Sequence, residues 1–139
     1  MTYNIQYTAE PDQTLTKKLI NGLAEHAKQQ KDLIPGESFA FSLNDENTNI
    51  TGGCTGAIFY GCLYIDLLWI EESVRGHGYG TKIMKAAEDL GKEKSCLFST
   101  VNTMSFEALG FYQKLGYHVE FERSGYLKNS TFYFLRKDL

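Results

Sequence analysis

The chain has 139 residues, 42% hydrophobic, 14% aromatic and 22% charged, which is enough for one folded core and short for two. That composition, with only two prolines, excludes a disordered or low-complexity protein and leaves a soluble enzyme or a binding domain. A net charge of -3 provides no overall positive field for a nucleic-acid backbone or an anionic membrane, so an anionic ligand has to be gripped locally.

The opening MTYNIQYTAEPDQ lacks the basic and apolar regions of a signal peptide, and the longest apolar stretch, Ala57 to Ile70, contains Asp66 and is too short for a bilayer. A cytoplasmic location is the expectation. Tyr3 to Thr8 reads as a weak first strand. From Asp12 the residues Leu15, Leu19, Leu23 and Ala27 recur at helical spacing, with Asp12 or Thr14 as the cap, and Pro35-Gly36 makes a loop after the helix. Phe39, Phe41 and Leu43 alternate as a strand, NDENTN turns the chain, and a glycine-broken strand runs from Ile50 to Tyr60. Leu63 to Ile70 is apolar on nearly both faces, the pattern of a central strand buried on two sides.

Next comes RGHGYG, followed by an amphipathic helix with Ile83, Met84, Ala87 and Leu90 on its apolar face and Lys82, Lys85, Glu88 and Lys92 opposite. Cys96 to Val101 is a further strand, Phe106, Leu109, Tyr112 and Leu115 mark a helix stopped by Gly116, and Tyr117–Arg123 and Thr131–Arg136 close the chain as strands. The sum is a single α/β domain over residues 1–139, a mixed, mostly antiparallel sheet with helices on both faces. Cys54, Cys62 and Cys96 are odd in number, unpaired as CxxC and set in apolar runs, which predicts buried thiols. The histidines have no metal-ligand spacing, and no metal is assigned.

A strand leading through RGHGYG into a helix sets free backbone N–H groups at a helix N-terminus, where the dipole favours negative charge. Phosphate suits that cradle, with Arg75 as a flanking cation and Lys82 or Lys85 one turn on; a tight strand-to-helix turn whose glycines serve packing alone is the competing reading. Walker A and GxGxxG both fail, since Gly76, Gly78 and Gly80 give GxGxG and Thr81 stands where the last glycine is needed.

At these residues the sequence resembles the GNAT superfamily of acetyl-CoA-dependent N-acetyltransferases, whose [RQ]xxGxG[AG] hallmark is matched in its core by RGHGYGT. Downstream, EALGFYQKLGY is similar to the family's AxxFYxKxGF, with Ala108, Phe111, Tyr112, Lys114 and Gly116 in register. The family often has Asn three residues before that alanine, where this chain has Ser105, and its usual Pro before the loop is replaced by Glu72.

The resemblance implies that the amides of Arg75, Gly76, His77, Gly78, Tyr79, Gly80 and Thr81 hold the pyrophosphate of coenzyme A. It also implies that Leu68 and Ile70 offer main-chain groups to the pantetheine arm, and that the Trp69 region sets the thioester at a gap beside the Cys96 strand. It places Phe111 and Ser105 in the same cofactor site. Tyr112 would stand near the sulfur, able to donate a proton or a hydrogen bond to the departing thiolate, against the alternative of a core aromatic.

An acceptor amine must lose its proton to attack. Asp66 is the candidate base or water-orienting group, because its parity with Leu68 and Ile70 sets it on one strand face, and Tyr64 shares that face; a structural carboxylate paired with an Arg or a tyrosine hydroxyl is the alternative. Glu71 and Glu72 are weaker alternatives. The acceptor is a primary amine on a small molecule or a peptide, its pocket built from DLIPGE, the Tyr60–Tyr64 strand and SGYLKNS. Acetyl-CoA is then the cosubstrate, with no nucleic acid or membrane as partner and a monomer or homodimer as the assembly. A non-catalytic acyl-CoA-binding sensor is the competing function.

Overall fold

The computed structural model describes residues 1–139, which divide into two units, Met1–Pro35 and Gly36–Leu139. In the first, helix α1 spans Gln13–Lys31. Asp12 caps it by accepting from the Leu15 N–H at 2.9 Å, and Asp32, at φ 55°, ends it in the left-handed region. The strand expected at Tyr3–Thr8 does not form, because the segment has no ladder partner and alternation of Tyr3, Ile5 and Tyr7 alone does not hold a strand.

The second unit is a six-stranded sheet in the order β1-β2-β3-β4-β6-β5. Its strands are β1 Glu37–Asn44, β2 Ile50–Phe59, β3 Cys62–Ile70, β4 Phe98–Met104, β5 His118–Tyr126 and β6 Ser130–Asp138. Every pairing is antiparallel except β3 with β4. That parallel pair requires a crossover, supplied by helix α2, Tyr79–Glu93. Helix α3, Leu109–Lys114, follows β4. Tyr60 and Gly61, at φ 50° and 81°, form the two-residue turn that returns β2 into β3.

The core lies on one face of the sheet, where Leu63, Ile65, Val101 and Leu135 meet Ile83, Met84 and Ala87 of α2 and Tyr112 of α3. The three cysteines are free thiols, all buried as expected. Several expectations fail within this unit. Phe106 stands in the turn before α3 rather than in the helix. The elements of this unit cover β3 on one face only, with Leu67 and Trp69 standing 64% and 58% exposed on the other. Glu88, expected on the solvent face of α2, is buried at 7%. It sits one turn beyond Met84 on the flank of the apolar stripe, and its charge is met there by Lys137, whose Nζ donates to Oε1 at 2.8 Å.

Between β2 and β3 the register steps from Thr55↔Leu67 to Gly56↔Ile65, so Asp66 is a bulge without a partner. Before it the odd residues Leu63 and Ile65 face the core; after it the even residues Leu68 and Ile70 do. The parity that grouped Asp66 with Leu68 and Ile70 is therefore broken, and Asp66 is exposed and accepts from the Tyr64 hydroxyl at 3.4 Å.

Candidate functional site

β3 and β4 pair only from Cys62↔Phe98 to Ile65↔Val101, and beyond that rung the two strands part. Glu71 donates its N–H to the Thr51 carbonyl at 2.8 Å, which fixes the alternation on that edge. Leu67 and Trp69 turn their main-chain groups to β2, and Leu68 and Ile70 turn theirs into the fork toward β4. The Ile70 carbonyl is taken by Arg75 Nε at 2.7 Å. Leu68 has no residue of β4 paired with it there.

The chain then makes a single 3₁₀ turn, Glu72–Val74, and the Arg75 N–H closes it on the Glu72 carbonyl at 3.2 Å. From Gly76 through Thr81 no backbone N–H has an acceptor in the protein; the first helical bond of α2 runs from the Lys82 N–H to the Gly78 carbonyl. Gly76 and Gly78 hold φ of 85° and 81°, and a Cβ on either would meet no atom within 4 Å. Packing therefore does not explain these two glycines: their backbone needs the left-handed conformation, and the space beside them is open. At Gly80 a Cβ would come within 3.2 Å of the Phe111 ring.

A cavity of about 660 Å³ joins this loop to the fork. It is lined by Leu68, Trp69, Ile70, Arg75, Gly76, Gly78, Tyr79, Gly80, Thr81, Phe111 and Tyr112, and also by Val74, Phe106, Glu107 and Ala108, which the sequence reading did not single out as site residues. Phe106, Glu107 and Ala108 immediately precede α3, so the signal for them was their place just ahead of Phe111-Tyr112. His77, Ser105 and Asp66 do not line the cavity.

Ser105 is occupied elsewhere: it exchanges two hydrogen bonds with Thr131, its N–H to the carbonyl at 2.8 Å and its Oγ accepting the Thr131 N–H at 3.0 Å. The α3 entry is served instead by Thr103, whose Oγ1 accepts from the Ala108 N–H at 3.2 Å. Neither nearby lysine lines the cavity: Lys82 stands 5.2 Å over the Tyr79 ring and Lys85 pairs with Asp89.

Tyr112 is 5% exposed, with its ring edge-on to Phe111 and Tyr117 at 5.1 Å and 6.0 Å. Its hydroxyl has no partner in the chain, yet it is not sealed from the cavity. Burial first, then the neighbouring Cys54 and Glu107, push its pKa up to about 12. Burial, with the Asp66 carboxylate behind it, pushes the Cys54 thiol up to about 11. A second cavity, of about 630 Å³, is lined by Met104, Phe106, Tyr126, Leu127, Lys128 and Ser130 and shares Phe106 with the first.

A row of unpaired amides at a helix N-terminus, leading to free strand groups in a fork and a tyrosine hydroxyl at its end, fits a long ligand with a phosphate at one end and a polar chain at the other. The model of the GNAT acetyltransferase family matches residues 20–117 of this chain. The chain is 34% identical to the blasticidin-S acetyltransferase of Streptomyces morookaense over 106 residues, covering 76% of this chain and 78% of that one.

The chain belongs to the GNAT acetyltransferase family.

The GNAT fold extends to solved structures: a crystal structure from Agrobacterium tumefaciens superposes at TM-score 0.86 with 21% identity, covering 99% of this chain and all of that one. An acetyltransferase from Bacillus cereus superposes at 0.79 with 28% identity, covering 96% and 98%. As a GNAT enzyme the protein is an acetyl-CoA-dependent N-acetyltransferase with acetyl-CoA as cosubstrate. The unpaired amides of Gly76–Thr81 and the open space beside Gly76 and Gly78 fit the cosubstrate's pyrophosphate.

Proposed function

We propose that the protein moves the acetyl group of acetyl-CoA to a primary amine by direct attack on the thioester. The observation that carries this reading is one continuous cavity with unpaired loop amides at one end and an unpartnered Tyr112 hydroxyl at the other. In this reading the amides of Gly76 through Thr81 hold the pyrophosphate, while Arg75, anchored on Ile70, keeps the loop at the end of β3. Leu68 donates its N–H in the fork to the acetyl oxygen, where negative charge grows as the amine nitrogen bonds to the carbonyl carbon.

The carbon–sulfur bond then breaks, and Tyr112 donates a hydrogen bond to the leaving thiolate. A phenol held near 12 gives up its proton reluctantly to a thiolate whose conjugate acid lies near about 8.5, so hydrogen-bond donation describes its role better than full proton transfer. Direct attack is favoured over an acyl-enzyme because Cys54, the thiol whose charge bears on Tyr112, is 2% exposed and held near 11, which keeps it protonated and unreactive.

Asp66, exposed at the bulge and bonded by Tyr64, takes the amine proton or orients the water that does. Asp66→Asn should lower turnover while leaving acetyl-CoA affinity intact, and parental turnover in the variant would return Asp66 to a structural role. The acceptor enters along the second cavity, beside the Tyr126–Ser130 hairpin, and the blasticidin-S acetyltransferase relative supports a small-molecule amine.

The test is incubation with acetyl-CoA and a panel of amines while free thiol is followed. Thiol release in step with an acetylated amine is expected. Acetyl-CoA binding without thiol release on any amine would leave a sensor and overturn the reading.

A further inference from the structure

Away from the open cavity, four polar side chains meet in the interior. Tyr117 follows Gly116, which ends α3 at φ 97°, and its N–H donates back to the Tyr112 carbonyl at 3.1 Å. Its ring stands edge-on to the Tyr112 ring, 6.0 Å between centroids at 71°. Its hydroxyl donates to Glu88 Oε2 at 2.9 Å and lies 2.8 Å from Ser99 Oγ. Glu88 Oε1 in turn accepts from Lys137 Nζ at 2.8 Å. One residue from α2 and one from β4 thus meet the phenol, and β6 supplies Lys137 to the other oxygen of Glu88.

A phenylalanine would fill the same space without the hydroxyl, and a carboxylate whose side chain is 10% exposed is costly to desolvate even when paired. Such a network adds little net stability and is better suited to fixing one arrangement of the elements it joins. Burial, and after it the Glu88 charge, hold the Tyr117 proton far above the ordinary phenol range. The proton therefore stays between Tyr117 and Glu88, and the Ser99 hydroxyl supplies the second bond as donor.

The element fixed most directly is α3. Tyr117 is tied to Tyr112 twice, through the backbone and through the rings, and its hydroxyl is tied to α2, whose N-terminus carries the glycine loop. We propose that Tyr117 is a positioning residue for acetyl transfer: its hydroxyl, held by Ser99 and Glu88, braces Tyr112 and sets where the Tyr112 hydroxyl stands in the cavity. This rests on the role of Tyr112 given above.

Tyr117→Phe keeps the ring and deletes the brace. Turnover with a reacting amine should fall about 10-fold, because a small misplacement of a group near the reacting atoms is enough to cost that much. The acetyl-CoA dissociation constant by calorimetry should change by less than about 2-fold, since the loop amides are untouched. The decisive arm is the double variant: in a Tyr112→Phe background the Tyr117 hydroxyl has nothing left to position, and Tyr117→Phe should change kcat by less than about 2-fold.

A folded Tyr117→Phe protein with parental kcat overturns the proposal, and so does an undiminished loss in the Tyr112→Phe background, which would mean that Tyr117 acts elsewhere. If Tyr112→Phe alone keeps the parental kcat, the reading of Tyr112 falls first and the brace with it. Should Tyr117→Phe fail to fold, Ser99→Ala removes one of the two hydroxyl contacts and should give a smaller loss that likewise vanishes when Tyr112 is phenylalanine.

Discussion

Helix α2 has two polar regions that obey opposite rules. At its N-terminus the N–H groups of Gly76 to Thr81 are left without acceptors, beside open space. Farther along the same helix Glu88 is buried with both oxygens engaged, one by Tyr117 and one by Lys137. A buried polar group must be paired, and an exposed row of donors aimed at one place is free to pair with something that arrives. One end of the helix is therefore equipped to receive a ligand, and the other is equipped to hold the fold.

The largest effect should come from closing the receptive end. Gly80→Val puts a branched side chain against Phe111 and into the cavity, and the loss of one or two charge-assisted hydrogen bonds predicts at least about 100-fold weaker acetyl-CoA binding. Unchanged affinity by calorimetry in a folded variant would remove the pyrophosphate from this loop. At the holding end, Glu88→Ala should leave acetyl-CoA affinity nearly alone and lower stability by about 2 kcal/mol, because Tyr117 and Lys137 lose their common partner. Denaturant unfolding checks it, and parental stability would mean that the carboxylate does not hold the fold.

Tyr112→Phe removes a donor from the far end of the cavity and should slow turnover about 10-fold in kcat and kcat/KM together, with the fold intact. With its pKa up to about 12, the Tyr112 hydroxyl stays protonated through neutral and mildly alkaline pH, so the parent should show no loss of rate from this group below about pH 11. The folded protein holds this proton more tightly than the unfolded chain, whose tyrosines titrate near about 10. The corresponding contribution to stability is complete below that pH and declines as pH rises from about 10 through 12. A urea titration against pH, with Tyr112→Phe as the control, resolves it.

The smallest effect is expected at the second cavity, where Leu127→Ala trims an 89% exposed side chain from its lining. KM for the acceptor should rise about 3-fold, with acetyl-CoA affinity unchanged. A shift in acetyl-CoA affinity instead would move the acceptor to another side of the fork.

The receptive end was legible in the sequence and the holding end was not. Glycines at alternate positions between a strand and a helix have few explanations, and the FYxKxG run fixed Tyr112 beside them. The buried thiols followed from their apolar neighbours. Glu88 was assigned to solvent on its charge, although its spacing from Met84 put it at the edge of the buried stripe; its partners, Tyr117 and Lys137, lie 29 and 49 residues away, beyond the reach of periodicity. Ser105 stands where the family often has Asn, yet the start of α3 is served by Thr103 from two residues upstream of it. Asp66 was misgrouped because alternation assumes an unbroken ladder, and one unpaired residue is invisible in the pattern.

That unpaired residue works as a frameshift within β3. Upstream of Asp66 the strand is read in one frame, odd residues inward; downstream it is read in the other, with Leu68 and Ile70 inward and Leu67 and Trp69 outward. Deleting Asp66 would set Leu67 directly after Ile65 and join the two halves into one unbroken ladder, with Leu63, Ile65, Leu68 and Ile70 all still inward and every pair on β2 kept. The inward faces of β3 thus do not depend on this extra residue, and position 66 is the place in the strand that can lose a residue with its faces and its register on β2 kept.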